Sequence, residues 1–165
     1  MREIFKASRN WGEEYLVLLA PKYYTLKILK INSGNKGGLQ SHHLKFETGI
    51  VLSGKVKIKK GQNPESLKEI ILNKGDLFTF EPGIVHQEEA ITDTFILEIS
   101  SPHFNDRIRY DHLENDDNFL PSTNKNEVLE LESYHDLEKI KEYGFIKVEK
   151  KEKNLIEKIL KNLFL

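Results

Sequence analysis

The chain contains no cysteine. That excludes a disulfide scaffold, thiolate zinc sites, iron–sulfur clusters and a cysteine nucleophile, and it fits a reducing compartment, so the expected location is the cytoplasm. No apolar run approaches the roughly eighteen residues of a membrane span. The first residues, from Met1 to Tyr15, carry charges throughout and no apolar core, so no secretory signal is expected. An excess of charge of one sign is also missing: 25 basic residues face 26 acidic ones, for a formal net charge of −1. Such a balance offers no general attraction for phosphate backbones, and nucleic acid is not an expected partner. Internal repeats and low-complexity tracts are absent as well. With 165 residues the chain is long enough to bury a core without a structural metal, so a metal, where present, serves chemistry.

What is present is a series of short β-branched and aromatic runs separated by Gly, Pro and Asn turns, at the spacing of an all-β sandwich or barrel. The expected strands are residues 15–19, 24–31, 48–52, 55–59, 68–72, 77–80 and 94–100. Lys55, Val56, Lys57, Ile58 and Lys59 alternate strictly, which predicts one apolar and one solvated face. Turns are expected at residues 61–64, 73–76 and 81–83. Residues 114–127 are polar and contain Pro121, which reads as a linker or a loop draped over the barrel. Helical patterns follow near residues 134–143 and 150–164. In the second, Leu155, Ile156, Ile159, Leu160 and Leu163 form an apolar stripe suited to packing on the barrel or on a sister subunit.

Two stretches carry the chemistry. Between Gly34 and Gly54, Gln40 and His42 lie two apart and Glu47 follows; between Gly75 and His86 the chain passes through Glu81, Pro82 and Gly83. Imidazoles with one carboxylate suit a borderline divalent ion such as Zn, Fe, Mn, Ni or Co, and leave coordination positions open for substrate or water. A single residue of this set would read as an ordinary barrel histidine or surface carboxylate. Gathered inside two glycine frames, they read as a site.

These stretches resemble the paired motifs of the cupin family, G-x5-H-x-H-x3-4-E-x6-G and G-x5-P-x-G-x2-H-x3-N. Gly34, His42, Glu47, Gly54, Gly75, Gly83 and His86 fall on their places, whereas Gln40 replaces the first His, Glu81 the Pro and Ala90 the terminal Asn. The resemblance implies a double-stranded β-helix, the cupin jelly roll, over residues 1–113, with a C-terminal helical extension over 114–165. It also implies Gln40, His42, Glu47 and His86 as metal ligands and a homodimer. A shifted register would pair His42 with His43. Gln40 is the better partner, because residues two apart on a strand share a face and adjacent ones do not.

Around the motifs, residues 10–15, 39–43, 51–54, 75–80 and 97–102 look like bacterial cupins of the sugar-phosphate isomerase type, including type II phosphomannose isomerase domains. That implies a carbohydrate substrate and an aldose–ketose isomerisation, with a carboxylate moving a proton between adjacent carbons. Glu47 and Glu98 are the candidate catalytic carboxylates. Glu98 shares a strand face with Thr94, Ile96 and Ser100; facing the barrel mouth it is a buried base, facing water an ordinary carboxylate. Tyr23, Tyr24 and Lys27 are candidates for substrate contact or for packing. His43, His103, His112 and His135 lack a frame and are expected to be structural or solvent-exposed. Dioxygenase chemistry at a two-His, one-carboxylate iron and a non-catalytic sugar-binding module are the alternatives.

Overall fold

The computed structural model describes residues 3–111 and 122–161. Twelve of its strands lie in two facing sheets. The larger is built from β1 (Phe5–Arg9), β2 (Gly12–Ala20), β3 (Tyr24–Ile31), β5 (Glu47–Ser53), β8 (Leu77–Phe80), β10 (Thr94–Ser100) and β14 (Ile146–Lys147), in the order β14-β1-β2-β3-β10-β5-β8. The smaller contains β4 (Gln40–Ser41), β6 (Lys55–Gly61), β7 (Lys68–Asn73), β9 (Val85–Ala90) and β12 (Ile108–Arg109), in the order β12-β4-β9-β6-β7. β11 (His103–Phe104) and β13 (Leu129–Glu130) pair separately. The partners within each sheet are antiparallel and the chain crosses repeatedly between sheets, which is the jelly-roll arrangement expected.

Each expected strand lies within an observed one, and β3, β8 and β10 have the expected bounds. Val56 and Ile58 turn inward, as the alternation requires, while Lys57 and Lys59 on the outer face pair with Glu89 and Glu69. The inner faces close on Leu29, Ile31, Val51, Val56, Ile58, Leu72, Phe80, Ala90 and Ile96. Gly54, the last glycine of the first motif, turns β5 into β6 at φ 84, and a Cβ there would lie 2.3 Å from the Asp93 carbonyl oxygen. Only glycine satisfies both demands.

The segment after residue 121 is knit into this framework. Leu131, Ile140 and Phe145 pack on Phe5, Ala7, Leu16 and Leu19, whereas Ile156 of α1 (Lys150–Lys161) packs on Ile4, Tyr15 and Ile28. Tyr15 and Leu16 are neighbours on one strand and point to opposite faces. The C-terminal segment therefore covers the β1–β2 end of the sheet on both sides. Ile159 and Leu160 of the predicted stripe join Ile156 there, Leu155 is exposed, and Leu163 lies outside the described residues. Residues 134–143 form a 3-10 helix with Asp136 accepting at its start and Gly144 closing it. Most of the polar stretch 114–127, with His112 before it, lies outside the described residues. Phe145 is 1% exposed and stacks edge-on against Phe104 at 5.6 Å. Phe145→Ala should cost about 3–5 kcal/mol in urea denaturation; a loss within error of zero would mean that the C-terminal segment is not part of the core.

Candidate metal centre

His42, Glu47 and His86 are all buried, and one ligand atom from each lies within 4.8 Å of the others. Three pieces of backbone bring them together. Glu47 opens β5, His86 is the second residue of β9, and His42 follows β4 directly. The two motif loops are tied by the Gly83 amide, which donates to the His42 carbonyl at 2.8 Å, with Gly83 in the left-handed region at φ 83.

The His42 loop is held by Asp106. Its carboxylate accepts the backbone N–H of His43 at 2.8 Å, of Leu44 at 2.8 Å and of Lys45 at 2.6 Å, while its carbonyl faces His42 Nδ1. Burial alone would raise the Asp106 pKa, but the three N–H donors hold it below the usual carboxylate range. His86 is fixed in the same manner: Nδ1 lies 3.0 Å from the Ile84 carbonyl and the ring stacks on Phe80 at 4.0 Å.

A carbonyl only accepts, so each Nδ1 carries a hydrogen and Nε2 is the nitrogen that each ring turns toward Glu47. Both Nε2 atoms are sealed from solvent and without a hydrogen-bond partner. They face Glu47, with His42 Nε2 3.3 Å from Oε1 and His86 Nε2 3.5 Å from Oε2. Burial pushes the His86 pKa down to about 4, so this imidazole is neutral at pH 7. Two imidazole nitrogens converging on a buried carboxylate make a donor set that fits a divalent ion such as Zn, Fe, Mn, Ni or Co. At present the charge beside Glu47 comes from Lys45, whose Nζ is 2.6 Å from Oε1. Burial would raise the Glu47 pKa; the Lys45 ammonium holds it well below the usual range.

Gln40 lies directly opposite His86 across the β4–β9 pair and opposite Arg109 on its other side, and it lines the same cavity. His43 does not turn inward. Its Nε2 meets the Thr123 carbonyl at 2.7 Å, so the shifted register finds no support in the geometry.

The cavity above the triad has a volume of about 130 Å³. Glu98 lines it, which resolves the two orientations left open by the sequence in favour of the barrel mouth. One Glu98 oxygen accepts from Ser100 Oγ at 2.9 Å and lies 3.6 Å from Lys27 Nζ. Lys27 also meets Glu14 at 2.8 Å, and Glu14 is forked by Arg9 at 3.1 and 3.0 Å. Lys27 thus joins the cavity, whereas Tyr23 and Tyr24 are exposed and outside it. His103 reaches the rim, held at 2.9 Å by Ser101.

Sequence reasoning missed Glu14, Lys45, Glu88, Asp106 and Arg107. Glu88 sits on the cavity wall two residues beyond His86; burial, with Glu47 and Glu98 nearby, pushes its pKa up to about 8, so it holds a proton at neutral pH. The H-x-E spacing after the second motif was the one available signal for it.

Residues 27–100 match the model of the cupin domain. Mannose-1-phosphate guanylyltransferase RfbM of Salmonella typhimurium is 28% identical over 102 residues, covering 61% of this chain and 19% of that protein. Among solved structures, the capsular polysaccharide assembling protein CapF of Staphylococcus aureus aligns at a TM-score of 0.53 and 16% identity, covering 81% of this chain and 33% of that one. A variant of Bacillus subtilis oxalate decarboxylase aligns at 0.56 and 15% identity, covering 64% and 30%. The chain thus spans well under two thirds of these relatives. No helix among the described residues is long and apolar enough to cross a membrane.

Two tests follow from this geometry. Asp106→Ala removes the acceptor of the 43–45 amides and so loosens the loop that carries His42, while the backbone carbonyl facing His42 Nδ1 stays; metal affinity measured by chelator competition should fall about 10–100-fold, and unchanged affinity would remove Asp106 from the account. Glu14 concerns stability. Burial would raise its pKa, but Lys27 and Arg9 hold it far below the unfolded value of 4.5. The unfolded chain therefore takes up this proton first, so the contribution of Glu14 is complete above pH 4.5 and is lost as the pH falls below it. Glu14→Gln should lower stability at pH 7 and flatten its acid slope in urea titrations, and parallel slopes would count against the network.

Proposed function

We propose, from the premise that this chain belongs to the cupin superfamily, that it is a metal-dependent enzyme acting on a carbohydrate, an isomerase that interconverts an aldose and a ketose or their phosphates. The observation that carries the reading is the pairing of the His42–Glu47–His86 cluster with a small cavity walled by further carboxyls, Glu88 and Glu98. The guanylyltransferase relative, named for a sugar phosphate, supports the substrate class.

In this reading His42, Glu47 and His86 hold the metal, with Gln40 as a neutral fourth donor. The bound ion supplies polarisation of a carbonyl and the adjacent hydroxyl of an open-chain sugar. The chain's own residues move the protons. Glu98, on the cavity wall, takes the proton from the carbon beside the carbonyl and returns it to the former carbonyl carbon, while Glu88 donates to the carbonyl oxygen and recovers a proton from the neighbouring hydroxyl. No atom is gained or lost. Lys27 and Ser100 fix the Glu98 carboxylate and Phe80 fixes the His86 ring. Glu47 is a ligand in this scheme and a second candidate for proton transfer.

The same reading keeps residues 1–113 as the catalytic barrel, 114–165 as the extension that buttresses it, and a cytoplasmic homodimer as the working form; exposed Ile70, Ile71 and Leu77 offer apolar surface for a partner copy. Because two imidazoles and one carboxylate also suit iron oxygenases, oxygen uptake is the second assay.

Purified protein should contain roughly stoichiometric divalent metal, lost in His86→Ala. Metal-loaded protein incubated with a panel of aldoses and aldose phosphates should yield ketoses, and Glu98→Gln should slow this by about 100-fold or more. Silence across the panel sinks the isomerase.

A further inference from the structure

We propose that Arg107 is an anion-binding residue of the cavity, gripping a phosphate or carboxylate group of the substrate handled beside His42, Glu47 and His86, so that the ligand is a charged sugar derivative and not a neutral sugar. This rests on the reading above for the sugar but not for the anion.

Six Lys and Arg side chains line the cavity against four Glu. Most of these cations are already matched. Arg9 forks Glu14 and donates to the Tyr143 carbonyl, Arg109 meets Asp111 at 2.9 Å, Lys27 lies between Glu14 and Glu98, and Lys45 sits on Glu47. Lys36 is exposed and solvated. Arg107 differs from all of them. Its Nε is sealed from solvent with no hydrogen-bond partner, and among the described residues no carboxylate pairs with it. Two residues before Arg109, it lines the same cavity as Arg109 and Gln40.

Burial lowers its pKa to about 10, Glu14 opposing and Arg9 and Arg109 reinforcing, so the group is charged at neutral pH. A half-buried guanidinium whose Nε is cut off from water, and which forms no ion pair among the described residues, has donors to spare, and its planar fork matches two oxygens of an incoming oxyanion. The neighbouring cations add to the attraction, whereas a neutral sugar would leave the charge unmatched.

The protein supplies its own reporter, since its one tryptophan, Trp11, lines the cavity. Metal-loaded full-length protein is titrated with inorganic phosphate and, separately, acetate, following Trp11 fluorescence and thermal stability, for wild type, Arg107→Met and Arg107→Lys. Wild type should respond to at least one anion, with phosphate alone indicating a phosphate ligand and acetate alone a carboxylate. Arg107→Met should weaken that binding about tenfold or more and abolish the anion-induced rise in Tm at unchanged metal content. Arg107→Lys, which keeps the charge but loses the fork, should fall between, and it carries the comparison if the Met variant loses metal or native circular dichroism. Equal anion affinity in wild type and variant, or no response of wild type to either anion, overturns the proposal. Arg107-dependent phosphate binding without ketose formation sinks the isomerase alone; isomerised neutral aldoses without anion binding sink the Arg107 site alone.

Discussion

The Asp106 carboxylate, accepting three consecutive backbone amides from residues 43–45, is the interaction on which the metal centre depends. Those amides belong to a loop between β4 and β5 that has no ladder of its own, and buried backbone donors must find acceptors. Asp106 supplies them in one residue. It thereby sets the height of His42 above the barrel and, through its own carbonyl, chooses which imidazole nitrogen faces Glu47. The same loop delivers Lys45 to Glu47. One residue, through its side chain and its carbonyl together, thus couples the fold of the loop, the tautomer of His42 and the charge beside Glu47.

Around this point the barrel separates two tasks. Its lower half is apolar and closes on Phe80, Val56, Ile58 and Ile96; its upper half holds a dense set of charges in a small volume. Phe80 belongs to both, as a core side chain and as the plate on which His86 stacks. Glu14, Lys27 and Glu98 come from three adjacent strands, and each carries a partner across a strand boundary. Buried ions of this kind contribute little net stability compared with apolar side chains of the same size. Their place on the wall of the cavity suits a polar ligand better than it suits stability.

The sequence displayed His42, Glu47 and His86 because each sits at a fixed distance from a glycine that the turns require, and local spacing survives in a one-dimensional record. It displayed β3, β8 and β10 because each is a run rich in β-branched and aromatic residues bounded by turn residues. It did not display β9, because the run His86, Gln87, Glu88 and Glu89 is polar on both faces, with Glu88 on the cavity wall and Glu89 paired with Lys57 outside, and so carries no apolar alternation. β1 was hidden for a related reason, its Lys6, Ser8 and Arg9 diluting a short strand. Asp106 and Arg107 were invisible because their partners lie about sixty residues away or are absent. The orientation of Glu98 needed the third dimension too, since alternation assigns two faces without saying which one is inside.

Gln40 now has a position as well as an identity. It stands in a cross-strand row between His86 and Arg109, the slot where an imidazole would otherwise face the same cavity. An amide there keeps a neutral oxygen donor and adds N–H donors that an imidazole fixed on a metal would lack. Counted with His42, Glu47 and His86, an amide in place of an imidazole would leave the charge of the donor set unchanged, with Glu47 as its sole anion, and would harden it toward oxygen-preferring ions. With Lys45 already balancing Glu47, a dication held by His42, Glu47 and His86 would make the cavity strongly positive. The electrostatics of the whole cavity, and not of the three ligands alone, therefore favour an anionic visitor.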